Sequence, residues 1–274
     1  MEDYAAQNKM AWEYDAYNFW VSQSTPYETA KKNLENPRNC LRYHAEYFEN
    51  AKGMTIANIC GSCGKRAVPL AILGANVSVF DISEQNKKYA CEAAEAAGVN
   101  INYVVGDVLD IDMSVYGGYF DAAYMEGGIL HYFHDINKFM SVIYNIIKPG
   151  ARLILSDFHP FGKIMGTLSS GGLKEDADYF ATGIAEAEMP HAGYYSEEQR
   201  KLFPRCLVRR YTLSEIINAV LNAGFILKSF DEHPSWTNAK LPGEYTILAV
   251  ELPVPAAPTA TNLPVVTPPS SHSP

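Results

Sequence analysis

Two kinds of residue in this chain have the type and spacing to do chemistry. The first is the run Asn58-Ile59-Cys60-Gly61-Ser62-Cys63-Gly64, which sits between an apolar segment and a helical pattern. A strand, a tight loop and a helix start make a nucleotide- and anion-binding corner, because unpaired backbone N–H groups point out of the helix end and small residues let a ligand approach them. Cys60-x-x-Cys63 also admits a metal or redox reading. A structural zinc wants a second such pair or a close histidine pair, and neither follows here, so no metal is expected. A redox pair would follow a strand and open a helix, as this one does, but the chain has elements such a fold does not need. The G-x-G-x-x-G fingerprint of hydride-transfer enzymes and the G-x-x-x-x-G-K-[ST] phosphate loop are both missing.

The second kind is a set of polar residues at the ends of apolar runs. Asp81 closes NVSVFD, where a carboxylate can accept both hydroxyls of a ribose. Asp81 and Ser83 are equally suited to start the next helix. Asp107, in VVGDVLD, can accept from an adenine amino group while the next backbone N–H donates to the ring. Taken singly, it is a turn residue. Glu126 ends YFDAAYME and must find a partner if buried. His131 (GGILHYFHD) and His159 (SDFHP) follow the fourth and fifth apolar runs. Each reads either as a general base or as a packed, loop-fixing histidine. His134 reads as a helix-start feature, and His191 as a further candidate on the connecting segment. The aromatics Trp12, Tyr14, Trp20, Tyr179, Phe180, Tyr194 and Tyr195 are candidates for an apolar wall that excludes water from a substrate.

These residues need a frame. Residues 5–50 read as helical. After that, short buried strands alternate with helices: MTIANIC, RAVPLAILG, NVSVFDI, EQNKKYACEAAEAAG, INYVVGD, YFDAAYME, INKFMSVIYNIIKPG, ARLILSDF. That rhythm predicts a parallel α/β sheet. Residues 159–210 break it and read as an inserted lid. TLSEIINAVLNAG resumes as a helix, started by Thr212 or Ser214 and stopped by Gly224. FILKSFDEH and EYTILAVEL then read as an antiparallel strand pair. The expected organisation is an N-terminal helical cap over 1–50, a catalytic domain over 51–252 with the lid inserted at about 159–210, and a disordered or extended proline-rich tail over 253–274. That tail has no acidic or basic residue and holds seven of the 16 prolines.

The whole-chain totals restrict the partners. Formal net charge is −9, and no Lys/Arg cluster is visible, which opposes a phosphate-tracking nucleic-acid surface. No apolar run approaches the roughly 20 residues that span a bilayer, and the N-terminus lacks the pattern of a secretory signal. Five scattered cysteines point to reduced thiols in a cytoplasmic protein.

With these motifs in place, the chain resembles a class I S-adenosylmethionine-dependent methyltransferase of the small-molecule type, over about Met54 to Glu251. Asn58 stands where the family's first motif has an acid, and Cys60 and Ser62 stand where it has glycines. GANVSVFDIS resembles the ribose strand, GDVLDID the adenine motif, and FDAAYMEGGILHYFHDI the strand end that faces the methyl donor. The resemblance implies a Rossmann-like, doubly wound, seven-stranded, mostly parallel sheet with its last strand antiparallel, plus the helical cap and lid. It implies S-adenosylmethionine as cofactor, held by Asn58, Cys60, Gly61, Gly64, Asp81, Ile82, Asp107, Val108 and Glu126. Methyl transfer to O, N or S of a small metabolite follows, with His159, His131 and Glu126 as candidate catalytic groups and Trp12, Tyr14, Trp20 and Tyr195 as the substrate wall. A cofactor-binding module without transfer activity and a nicotinamide-dependent oxidoreductase remain as alternatives at this point.

Overall fold

The computed structural model describes residues 4–164 and 172–251. The expected tail, and the part of the expected lid at 165–171, fall outside the described residues.

The chain begins with three helices, α1 (Tyr4–Glu13), α2 (Ala16–Gln23) and α3 (Pro26–Glu35). Helix α3 starts on a capping box: Thr25 accepts from the Glu28 N–H, and Glu28 accepts from the Thr25 N–H. A kinked 3-10 segment, Asn39–Phe48, leads into the sheet. The alternation then runs β1 (Thr55–Ile59), α4 (Ala67–Ile72), β2 (Asn76–Asp81), α5 (Glu84–Ala96), β3 (Asn102–Val105), α6 (Met113–Tyr116), β4 (Phe120–Glu126), α7 (Ile136–Ile146) and β5 (Ile147–Phe158).

The segment expected to be irregular contains an antiparallel ribbon, β6 (Ile184–Glu188) with β7 (Arg205–Arg209), and a short helix α8 (Glu197–Arg200) between them. In β6 the side chains alternate between half-buried and exposed, so it carries none of the hydrophobicity that marks a buried strand. Helix α9 (Leu213–Asn222) follows, capped by Thr212 with Glu215 as its box partner. The chain closes with the hairpin β8 (Phe225–Pro234) and β9 (Pro242–Glu251).

The seven-stranded sheet has the order β3-β2-β1-β4-β5-β9-β8. Strands β3 to β5 are parallel, and β9 is antiparallel to both neighbours. Both faces are covered, which explains why the strand sequences are nearly continuous apolar runs. One face packs Ile56, Val77, Val79 and Ile154 against Leu41, Phe48 and Leu70. The other packs Ala57, Ile59, Met125 and Leu155 against Phe139, Met140 and Ile143 of α7. Because β2 and β3 lie on one side of β1 and β4 and β5 on the other, the crevice at the carboxyl ends of β1 and β4 is the topological switch point where such sheets hold ligands.

Candidate active site

The loop after β1 is shaped by backbone strain. Cys60 (φ 49°) and Ser62 (φ 47°) are both in the left-handed region, which costs an L-residue about 1–2 kcal/mol. Gly61 lies between them; a Cβ there would stand 2.4 Å from Asn58 Oδ1 and 2.7 Å from Val79 Cγ1, so only glycine fits. Three bonds hold this conformation. Asp81 accepts from the Ser62 N–H at 2.9 Å and from the Ser83 N–H at 3.0 Å, and Tyr103 donates to the Ser62 carbonyl at 2.7 Å. Burial pushes the Asp81 carboxyl above its ordinary pKa, against these donors. Ser83, not Asp81, caps α5, through the Asn86 N–H.

Neither cysteine is in a disulfide. Burial raises both thiols, Cys63 to about 11 and Cys60 well above its ordinary value, so at neutral pH they stay protonated and weakly nucleophilic. They act here as small fillers.

Asp107 starts the 3-10 turn Val108–Asp110 by accepting from the Leu109 N–H. At the end of β4, Glu126 is almost buried and sits between two guanidinium groups. Arg66 binds it through Nε and through Nη2 (2.6 Å), and Arg42 Nη1 lies 3.2 Å away. Burial alone would raise Glu126; the Arg66 bond and charge, with smaller help from His44 and Arg42, outweigh it and hold the carboxyl below its usual range. Glu126 is therefore a fixed anion and not a proton shuttle. Arg42 also reaches Glu244 at 3.2 Å and lies over the rings of Tyr43 and Trp236.

The end of β5 contributes a residue the sequence reading passed over. Asp157 accepts four backbone N–H groups: Gly128 at 3.0 Å, Ile129 at 3.1 Å, Leu130 at 2.8 Å and its neighbour Phe158 at 2.6 Å. It thereby pins the turn after β4 that carries His131. The available signal was an acid directly after the fifth apolar run.

From the helical side, Trp12, Phe19 and Trp20 come down over the crevice. His191, from the segment between β6 and β7, is stacked on Phe19 at 4.1 Å and edge-on to Trp12 and Trp20. Burial lowers its pKa to about 4, so it is a neutral ring at physiological pH. Trp20 is fixed by donating to Asn86 Oδ1 at 2.8 Å.

These parts enclose a cavity of about 580 Å³. Of the sequence-derived candidates, it is lined by Trp12, Trp20, Asn58, Cys60, Gly61, Asp81, Ile82, Asp107, Val108, Glu126, His191 and Tyr194. Other candidates are placed differently. Gly64 (φ 75°) faces α5, where a Cβ would meet that of Ala90 at 2.8 Å, so it serves close packing. Tyr14 and Tyr195 pack on Phe203, each at 4.9 Å, away from this cavity. His159 and His131 line a second cavity, of about 860 Å³, which shares only Tyr132 and Phe158 with the first. His159 Nδ1 accepts from the Phe161 N–H at 3.1 Å, and its Nε2 stands 3.0 Å from Glu232. Its ring thus fixes a loop. His131 has no such ties; burial lowers its pKa despite the Asp157 charge, and a Cβ on Gly128, which lines the first cavity, would lie 3.4 Å from His131 Cε1. His134 is stacked on Tyr4, while Asp135 caps α7.

Comparison with known proteins agrees with this architecture. Residues 59–155 match the family model of a methyltransferase domain. No curated protein matches the chain in sequence. Among solved structures, a protein from Listeria monocytogenes proposed to be a S-adenosylmethionine-dependent methyltransferase is 17% identical, with TM-score 0.60, 77% of this chain covered and 97% of that one. A S-adenosylmethionine-dependent methyltransferase from Mesorhizobium loti is 18% identical, with TM-score 0.58, covering 80% and 100%. The 1,6-didemethyltoxoflavin N1-methyltransferase of Burkholderia thailandensis is 14% identical, with TM-score 0.57, covering 91% and 89%. Residues 59–155 thus carry a methyltransferase domain, and the chain has the fold of these S-adenosylmethionine-dependent methyltransferases.

Proposed function

We propose that the chain methylates O, N or S of a small metabolite, with His131 rather than His159 as the proton acceptor. The observation that carries this reading is the convergence of Asn58, Asp81 and Asp107, from the ends of three adjacent strands, on one cavity.

The residues present fit the cofactor. Asn58 Oδ1 is a buried acceptor with no hydrogen-bond partner, since its amide donates to the Tyr124 carbonyl instead; the Ser62 hydroxyl is likewise buried and unpartnered. Unsatisfied buried polar atoms of this kind call for a ligand. Asn58 would take the amino end, Asp81 the ribose hydroxyls, and Asp107 with the Val108 backbone the adenine. Glu126, clamped by Arg66 and Arg42, would set a fixed negative field at the amino-acid end. Trp12, Phe19, Trp20 and His191 would exclude water and close the cap. When bound, S-adenosylmethionine supplies an electrophilic methyl carbon whose leaving group is already activated, so alignment and proton removal are the tasks left to the protein. His131 is held by the Asp157-pinned turn, is neutral at pH 7 and faces the second cavity, where a proton acceptor is useful. A small-molecule acceptor is supported by the acidic net charge and by the toxoflavin enzyme, which acts on a small molecule. The described residues contain no helix long and apolar enough to cross a membrane, and the free cysteines suit a reducing compartment.

The test is calorimetry with S-adenosylhomocysteine, followed by mass spectrometry of methylated products from a metabolite pool. Asp81→Ala should weaken cofactor binding about tenfold or more, the scale of a charge-assisted hydrogen bond. Wild-type affinity in that variant would refute the ribose assignment.

A further inference from the structure

The second cavity has a charge that the rest of the molecule does not. Five of the chain's 22 Lys and Arg residues line it, Lys163, Lys174, Arg209, Arg210 and Lys240, against two carboxylates, Asp157 and Glu188. Both carboxylates are already committed. Asp157 spends its oxygens on four backbone N–H groups, and Glu188 is held by Arg200 and Arg205. Arg209 is committed as well, to Glu215 and the His134 carbonyl. Among the described residues, Lys163 and Arg210 have no ion pair. Lys163 is half-buried, and burial lowers its pKa while Asp157 only partly restores it. Deeper in the same cavity, the Tyr245 hydroxyl is fully buried and has no hydrogen-bond partner. In a chain of net charge −9, a concave surface that keeps Lys163 and Arg210 without an ion pair among the described residues and offers an orphaned phenol is built for an anion. Leu130, Tyr132 and Tyr211 supply an apolar wall beside these groups.

We infer that this cavity holds the methyl acceptor, and that the acceptor is a small molecule carrying a carboxylate or phosphate group gripped by Lys163 and Arg210. This rests on the methyl-transfer reading above. The anionic group is the handle and not the methylated atom. It anchors the molecule beside His131 in the second cavity, whose border with the first is Tyr132 and Phe158.

The experiment measures binding of 1-naphthoate, 1-naphthyl phosphate and the neutral 1-naphthalenemethanol by titration calorimetry, on protein loaded with S-adenosylhomocysteine. The expected result is that at least one anion binds tenfold or more tighter than the alcohol. Comparison of the two anions distinguishes a carboxylate site from a phosphate site. Lys163→Ala with Arg210→Ala should abolish the preference while leaving S-adenosylhomocysteine affinity unchanged, and Lys163→Arg should retain the preference. Equal binding of the alcohol, an undiminished preference in the double variant, or no binding of either anion would overturn the inference. Failure of the wild-type protein to bind S-adenosylhomocysteine would instead strike the cofactor reading. The same titrations on unloaded protein would then decide the anion site separately.

Discussion

Replacing Ser62 by glycine tests whether the cofactor loop is held under strain. Ser62 sits at φ 47°, where a Cβ costs about 1–2 kcal/mol. Its hydroxyl is buried without a partner, a further cost on the order of 1–3 kcal/mol. The bonds that hold the loop, from the Ser62 N–H to Asp81 and from Tyr103 to the Ser62 carbonyl, are backbone bonds at position 62 and survive the change. Against these gains stands the greater freedom of glycine in the unfolded chain, about 0.5–1 kcal/mol. Ser62→Gly should therefore stabilise the ligand-free protein by about 1–4 kcal/mol, with a rise in melting midpoint of roughly 2–4 °C per kcal/mol for a chain of this size. Differential scanning calorimetry measures it, with Ser62→Ala as the control that removes the hydroxyl but keeps the Cβ. Glycine should exceed alanine by the cost of the left-handed backbone. A glycine variant that melts at or below the wild type, or no higher than the alanine variant, would refute the strain argument.

Three other perturbations have definite outcomes. Arg66→Met leaves the nearly buried Glu126 with Arg42 alone and should cost about 3–5 kcal/mol in chemical denaturation, much of it restored by adding Glu126→Gln; a change below about 1 kcal/mol would show that the pair is not integral. If His131 accepts the proton, it works as the neutral ring, and burial places its pKa below the ordinary value near 6.5. Turnover should then hold at neutral pH and fall only when the pH drops below 6.5, and His131→Asn should lower the plateau with little change in cofactor affinity; an unaltered pH–rate profile in that variant would remove His131 as the base. Buried His44 and His191 have pKa values lowered to about 4 by burial. Each contributes stability that is complete above pH 6.5 and is lost as the pH falls from about 6.5 to about 4, by about 3 kcal/mol per group at 1.36 kcal/mol for each pH unit of displacement. His191→Phe keeps the stacking and should flatten the acid limb of stability against pH; an equally steep limb would show that His191 does not remain neutral.

The fold was legible because the sheet is buried on both faces. Near-continuous apolar runs such as Ile56–Ile59 and Leu153–Leu155, alternating with helices closed by Gly74 and Gly98, admit few arrangements other than a parallel sheet with helices on either side. The ribbon of β6 and β7 was not legible, because β6 alternates only between half-buried and exposed positions and β7 buries just Cys206 and Leu207. The sheet-rim side of the candidate site was legible for a related reason. Asn58, Asp81 and Asp107 each follow an apolar strand directly, so their positions at the sheet rim come from chain order alone.

What the sequence could not assign was the direction in which side chains look once helices and loops close over that rim. Trp12 in the last turn of α1 and Tyr14 just past its end are two residues apart, yet Trp12 faces the crevice and Tyr14 turns to Phe203. His159 looked like the base by its place after β5, but its Nδ1 is taken up by the Phe161 N–H and its Nε2 lies beside Glu232. Glu126 acquires its role from Arg66 and Arg42, which are 60 and 84 residues away in the chain. The sequence by itself determined the order of strands and the polar residues at their ends, because burial forces apolar runs and leaves polarity at the termini. Only the tertiary structure decided which histidine is free, which carboxylates are committed and which cations are left unpaired, because charge and hydrogen-bond balance depends on neighbours that chain order does not specify.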